Sequence, residues 1–536
     1  MKEFIKTILS EIIHKTIPEF KDNVSVKISE NKNYGDYTTS VAFDLAKILK
    51  KSPKETAEKI ARKLKKSPEF SKIEVQKGFI NFYLSSECLR HQLKDILEIE
   101  SKYGFSDNYK KNTIQVEFIS ANPTGPLTIG NGRGGFYGDA LANVLESQGY
   151  KVTREYYIND RGGQILALGR SIKLAQGEKL NLKKAERDNL YKGDYIKKLA
   201  GQIDENLNIE EAGHKAVELI LNMYIKPVIK KIGIKYDVWF SEKSLYKGGE
   251  YEKVMKDLMQ KELIYEKDGA TWMKTSELGD NEDRVLIKSN GDETYFMSDI
   301  LYHLNKFKVR KFNKVINIWR ADHHGDVPRL LGALKVLGID LEQLKIILTQ
   351  FVRLISGGRE AKISKRAGAF VTLEKLVDEV GLDAARLFFL MYSTNTHMDF
   401  DMKLAKERSQ KNPVYYVQYA HARLYSILSK IKNQKSKIKI TNQNLKLLSS
   451  KADLDLIRKL VEYPEILADV AINYEVHRLP RYALELAREF HNFYEKERVI
   501  TEDKNLTSTR LVLVTATKIV LASALNLMGI KAPDKM

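Results

Sequence analysis

Residues 116–138 read VEFISANPTGPLTIGNGRGGFYG. Ile114 to Phe118 is a short apolar run and predicts a strand. Ser120 to Thr128 holds two prolines, a glycine and an asparagine, which is loop chemistry. From Gly134 the pattern turns helical, with Phe136, Ala140, Leu141, Val144 and Leu145 on one face and Gly149 closing the segment. Tyr150 to Ile158 is β-rich again. Strand, loop, helix and strand make a βαβ unit with a glycine-rich corner at a helix N-terminus. Unpaired N–H groups and the positive end of the helix dipole favour an anion there. Glycine suits the corner because no Cβ blocks a phosphate or a flat base. Taken alone, the loop is equally compatible with an ordinary strand–helix connection.

The rest of the chain supplies further signals. A second stretch, SGGREAKISKRAG, spans 356–368 and carries Lys362, Ser364, Lys365 and Arg366 between glycines at 357, 358 and 368. Alone such a string is a weak signal, because lysine-bearing loops are common. Between the two stretches, ETYFMSDILYH at 293–303 puts Tyr295 and Asp299 on one face of a short helix. An isolated pair at this spacing is more often a plain surface pair.

These stretches together resemble class I aminoacyl-tRNA synthetases and, among them, the arginyl family. The first is similar to the signature usually written His-Ile-Gly-His, here Thr128, Ile129, Gly130 and Asn131, with both histidines replaced. Tryptophanyl enzymes commonly carry the same Thr-Ile-Gly-Asn. Thr128 and Asn131 can hydrogen-bond phosphate oxygens but carry no charge. The second resembles the Lys-Met-Ser-Lys-Ser loop. The string NPVYYVQYAHAR at 412–423 is similar, almost residue for residue, to the start of the arginyl anticodon-binding domain.

The resemblance implies a Rossmann-type α/β catalytic domain with an α+β N-terminal appended domain and an all-α C-terminal bundle. The expected boundaries are 1–105 for the appended domain and 106–375 for the catalytic domain, with a helical insertion at about 165–235. A helical linker at 376–410 and an anticodon-binding domain at 411–536 follow. The implied roles are residue-specific. Thr128, Asn131, Lys362 and Lys365 would act on the reacting phosphates. Gly130, Asp322, His323 and Ser364 would join them around ATP. Glu117, Asn122, Glu242, Tyr295 and Asp299 would hold arginine, and Tyr34, Tyr415, Tyr419 and Arg423 would touch tRNA. For Tyr34 and Tyr37, simple loop anchoring is the plainer reading. Magnesium is expected with ATP and not at a fixed protein site, and the adjacent His323 and His324 diverge too much for a metal. Two rival readings stay open: a tryptophanyl enzyme, and a non-catalytic paralogue that lost the signature histidines.

Composition bounds these readings. The 536 residues exceed one ordinary core, and 43% hydrophobic with 30% charged residues fits a globular protein. A net charge of +19 suits a polyanionic partner such as tRNA. Cys88 is the single cysteine, so the chain has no internal disulfide and no cysteine-based zinc site. A reducing, cytoplasmic setting and a monomer are expected. No apolar run is read as reaching membrane-spanning length. The stripe of Phe4, Ile5, Ile8, Leu9, Ile12 and Ile13 predicts an N-terminal amphipathic helix and not a signal peptide.

Overall fold

The computed structural model describes residues 1–20, 23–29, 31–64, 67–356, 359–360, 371–430 and 442–536. The predicted βαβ unit is present. Strand β1 (Thr113–Glu117) leads through the loop to helix α1 (Ile129–Ser147), which returns to β2 (Lys151–Ile158). The helix starts five residues earlier than its apolar pattern indicated, because Thr128 at the N-cap and Asn131 close the first turn. Glycines dilute the hydrophobic period over that turn without breaking the helix.

Three more strands complete a parallel sheet: β3 (Val238–Ser241), β4 (Lys314–Arg320) and β5 (Leu344–Thr349). The order across the sheet is β5-β4-β1-β2-β3, with every pair parallel. The chain runs outward from β1 to β3, then restarts on the other side of β1 with β4. The order reverses between β1 and β4, where a crevice opens beyond the strands' carboxyl ends. Helix α2 (Tyr295–Leu304) precedes β4, and α3 (Asp326–Val336) follows it.

The sequence suggests one strand over 345–354, but the structure breaks it. Leu344–Thr349 stays in the parallel sheet, whereas Val352–Ser356 pairs with Met398–Asp401 in a separate small sheet. Arg133 explains the break. Its buried guanidinium donates to the carbonyls of Gln350, Phe351, Ser393 and Thr396, which a continuous strand could not present to it. Burial pushes this guanidinium down to about 10.

The helical insertion contains Gly163–Ala175 and Ile209–Ile220, packed closely at Gly169 and Gly213. A Cβ at Gly169 would lie 1.8 Å from the Ile209 carbonyl oxygen, so only glycine permits this crossing. A three-stranded antiparallel sheet (Ile264–Lys267, Ala270–Met273 and Arg284–Ile287) follows, which the sequence reading missed. Its strands are four residues each, too short for a two-residue period to stand out.

The N-terminal part carries a four-stranded antiparallel sheet and the expected helix Lys2–Thr16, which buries Ile5, Leu9 and Ile13. It docks on the C-terminal helices. Tyr37 is buried, and its hydroxyl donates to Glu465 at 2.9 Å. The anchoring role thus falls to Tyr37, while Tyr34 stays exposed.

Helix α4 (Leu382–Leu390) links the sheet to a bundle that begins with α5 (Pro413–Ser429), capped by Asn412. The last bundle helix, Lys504–Leu527, corrects the reading that no apolar run reaches membrane-spanning length: it is long and apolar enough to do so. Of its apolar window, 72% is buried within the protein, which identifies it as the core helix of the bundle.

Candidate active site

Beyond the carboxyl ends of β1 and β4 lies a cavity of about 770 Å³. One wall is the N-terminal end of α1. The Asn131 side-chain oxygen accepts from the Thr128 N–H at 2.8 Å and from the Thr128 hydroxyl at 3.0 Å. The pair that replaces the two histidines therefore caps the helix reciprocally. Gly130 and Gly134 line the same wall, where an added Cβ would meet nothing closer than 3.7 Å. Gly132, Gly135 and Gly138 face the other way and are packed against Leu373, Ile119 and Phe118. Some glycines thus keep the cavity wall low, and the others let the helix lie close on the residues after β1 and on Leu373.

The loop after β1 is held in a costly conformation. Ile119 and Ser120 have φ of 65° and 38°, in the left-handed region. A β-branched residue there is a strained outlier. Hydrogen bonds hold it: Tyr236 donates to the Phe118 carbonyl, Tyr156 donates to that of Ala121, and the Tyr157 N–H donates to the Ser120 hydroxyl. No propensity pattern signals this pair. The result directs Ser120, Ala121 and Asn122 along the cavity.

Helix α2 forms the opposite wall. Tyr295, Ser298, Asp299, Tyr302 and His303 line the cavity from one face of it. Tyr295 is 54% exposed at the helix start, and Asp299 sits one turn deeper. Burial, then the charges of Asp326, Glu117 and Glu242, pushes the Asp299 carboxyl up to about 7. Glu242 is buried behind Ser298, whose hydroxyl donates to it at 2.7 Å. Burial pushes the Glu242 carboxyl up to about 7 as well. Among the described residues its second oxygen and the Asn159 side-chain oxygen are buried without a close hydrogen-bond partner, and the Tyr157 hydroxyl beside Glu242 partly offsets that rise. Buried acceptors left so are rare and attract a donor-rich cation. Tyr191 and Tyr195, from the helical insertion, close this end of the cavity, with the Tyr195 hydroxyl on the Thr124 carbonyl. Asp160, two residues after β2, does not cap the following helix. It accepts from the Ser241 hydroxyl and the Lys243 N–H instead.

Of the five residues implied for arginine, Glu117, Asn122, Tyr295 and Asp299 line the cavity, and Glu242 lies just behind it. At the other end, Trp319, Arg320, His323 and Thr349 form the wall. His323 pairs with Asp326 at 2.9 Å, which raises the imidazole and lowers the carboxyl. Asp322 is not brought to the cavity: its carboxylate pairs with Arg320 at 2.7 Å, and Asp326, one turn later, takes the wall position. Lys362, Ser364 and Lys365 lie outside the described residues. The segment after them is tied to the first corner, because Thr372 bridges to Thr128 and the Leu373 N–H donates to Leu127.

Tyr415, Tyr419 and Arg423 form a separate stripe on α5, far along the chain from the cavity. The two tyrosine rings lie parallel at 6.3 Å, and Tyr419 stacks on His491. Arg423 lies over the Tyr494 ring and donates to its hydroxyl. His491 and Tyr494 were not anticipated, since they come from another helix.

Comparison with known proteins bears on this arrangement. The family profile described as tRNA synthetases class I (R), catalytic domain, matches residues 92–399. The chain belongs to the arginyl-tRNA synthetase family. The family's N-terminal domain matches residues 3–84, and a DALR anticodon binding domain matches 417–536. An arginine–tRNA ligase of Carboxydothermus hydrogenoformans is 44% identical over 95% of this chain and 93% of its own. One from Thermotoga maritima is 43% identical over 99% of each. The fold is that of the Thermus thermophilus arginyl-tRNA synthetase, with a TM-score of 0.78 over the whole of both chains at 20% identity.

Proposed function

We propose that the chain is an arginine–tRNA ligase whose amino-acid site is the α2 end of the cavity and whose nucleotide site is the α1 end. The observation that carries this reading is the meeting of Tyr295 and Asp299 with Thr128, Gly130 and Asn131 around one cavity. Asp299 and Glu242 supply negative charge for the guanidinium, and Tyr295 and Tyr157 supply phenolic oxygens. Glu117 and Asn122 take the α-amino and carboxylate end. ATP, with its magnesium, lays its phosphates at the N-terminal end of α1 and its ribose and base toward Trp319 and His323.

The arginine carboxylate oxygen then attacks the α-phosphorus. A new P–O bond forms, the bond to the β-phosphate oxygen breaks, and pyrophosphate leaves. The terminal ribose hydroxyl of tRNA(Arg) next attacks the activated carbonyl carbon, loses its proton and expels AMP. No side chain becomes covalently bonded. Positioning and charge stabilisation carry the rate, with Lys362 and Lys365 as the cations on the phosphates. Tyr34 and the α5 stripe of Tyr415, Tyr419 and Arg423 contact the tRNA, in the cytoplasm.

Pyrophosphate exchange tests this across the amino acids, with and without tRNA. Exchange that depends on arginine is expected. Dependence on tryptophan instead, or no exchange under either condition, would overturn the reading.

A further inference from the structure

Lys306 is a fully buried cation that none of the steps above uses. It stands seven residues after Asp299, at the start of a π-helical turn (Asn305–Val309) that continues α2. Its ammonium donates to Glu117 Oε2 at 2.6 Å and to Asn317 Oδ1 at 2.8 Å, and it lies 3.9 Å from the centre of the Tyr302 ring. Asn317, on β4, is the direct cross-strand neighbour of Glu117 on β1. The Asn317 amide nitrogen lies 2.6 Å from His303 Nε2, and His303 Nδ1 lies 2.7 Å from the Asp299 carbonyl oxygen.

Only one assignment of donors satisfies the whole chain. Lys306 has donors only, so it meets the oxygen of Asn317. The Asn317 nitrogen therefore faces His303, whose Nε2 accepts. Nδ1 then carries the proton and donates to the Asp299 carbonyl. Burial and the Lys306 charge push His303 down to about 3, which keeps it neutral as this pattern requires. A network so satisfied, among buried side chains, has one arrangement and resists distortion. Its two ends are Glu117 and Asp299, one on the sheet and one on the helix that faces it.

We propose that Lys306, Asn317 and His303 are positioning residues that act as a buried spacer: they set the distance between Glu117 and Asp299 and so select the length of the amino acid held between them. The spacer rests on the assignment of Glu117 to the α-amino end and Asp299 to the guanidinium. Lys306 neutralises one oxygen of Glu117 while the residue still lines the cavity. The hydrogen bond from His303 holds the backbone of the helical turn that carries Asp299. A ligand with one methylene more or less cannot meet both carboxylates unless this network yields.

The test is pyrophosphate exchange by the full chain, with arginine and with its homologues one methylene shorter and one longer. The ratio of kcat/KM for arginine over each homologue is read for Asn317→Ala, His303→Ala and His303→Gln. One methylene in a fitted pocket is worth at least about tenfold, so both alanine variants should lower the ratio by about that factor. The loss should fall on the KM for arginine, with that for ATP held within about twofold. His303→Gln keeps an acceptor and a donor and should recover most of the ratio. An unchanged ratio with a lowered melting temperature would make the network merely structural and overturn the proposal. If the alanine variants do not fold, Asn317→Gln is read instead. It keeps the amide but displaces it by one methylene, so a lowered ratio supports the spacer and an unchanged ratio overturns it. A wild type without arginine-dependent exchange would overturn the arginine reading, and the spacer with it. An active wild type with indifferent variants would overturn the spacer alone.

Discussion

Asp299 and Glu242 show what burial does to a carboxyl at or just behind the cavity wall. Each is pushed up to about 7, so near neutral pH a fraction of the pair is protonated in the ligand-free protein. A guanidinium favours the ionised forms, so arginine should expel protons as it binds. The sign follows: affinity for arginine weakens as pH falls through about 7 and levels off above it. Calorimetry in buffers of different ionisation enthalpy should show proton release at about pH 6.5, and none would separate these carboxyls from the ligand. The folded protein binds these protons more tightly than the unfolded chain does. The two groups therefore cost stability as pH rises from about 4 to about 7. Asp299→Asn keeps the shape and removes the charge. It should raise the KM for arginine by roughly a hundredfold, the scale of losing one partner of a buried charge pair, and leave that for ATP nearly unchanged. Equal rises for both substrates in exchange assays would move Asp299 out of the amino-acid end.

At the scale of elements, α1 does two things at once. Its first turn, capped by Thr128 and Asn131, forms the cavity wall, and its glycine face lies on the loop after β1. A Cβ on Gly138 would sit 2.4 Å from Phe118 Cγ, a core ring with nowhere to retreat. Gly138→Ala should therefore destabilise by about 1–3 kcal/mol despite alanine's better helix propensity. Urea unfolding measures this, and a stabilised variant would show that the helix shifts freely. The βαβ unit was legible because a proline- and glycine-marked loop separates an apolar run from a helical period that is clear from Phe136 to Leu145. The break at Gln350 and Phe351 was not, because the apolar pattern runs straight through it. Arg133, more than two hundred residues earlier, imposes that break by collecting four carbonyls.

Over the whole molecule, the parts are joined by a few buried polar ties. Arg386, on α4, ion-pairs with Asp139 of α1 and donates to the carbonyls of Ile232 and Met528. One side chain thus ties together the sheet domain, the end of the insertion and the last turn of the bundle. Removing one member of such a pair leaves a buried charge without compensation, at about 3–5 kcal/mol. Arg386→Met should lower the unfolding midpoint accordingly and separate the bundle's transition from that of the sheet. A single unshifted transition would remove this role. The net charge of +19 acts at the same scale. Affinity for tRNA should fall steeply with salt, about one power of salt concentration per phosphate contacted, while KM for arginine changes little. Filter binding at several ionic strengths measures that slope, and a flat response would exclude the basic surface from tRNA binding.

The sequence by itself determined the βαβ unit, the family and a part of the cavity wall: Glu117, Asn122, Thr128, Gly130, Asn131, Tyr295, Asp299 and His323. Periodicity, glycine corners and motif spacing are local quantities that survive in a linear string. Only the tertiary structure decided that Asp322 pairs with Arg320 while Asp326 lines the cavity, and that Tyr37 anchors the N-terminal part on the C-terminal helices. It alone joined Lys306, Asn317 and His303 into one network. Each of these depends on which side chains meet across the sheet once its order reverses between β1 and β4, and no period along the chain encodes that meeting.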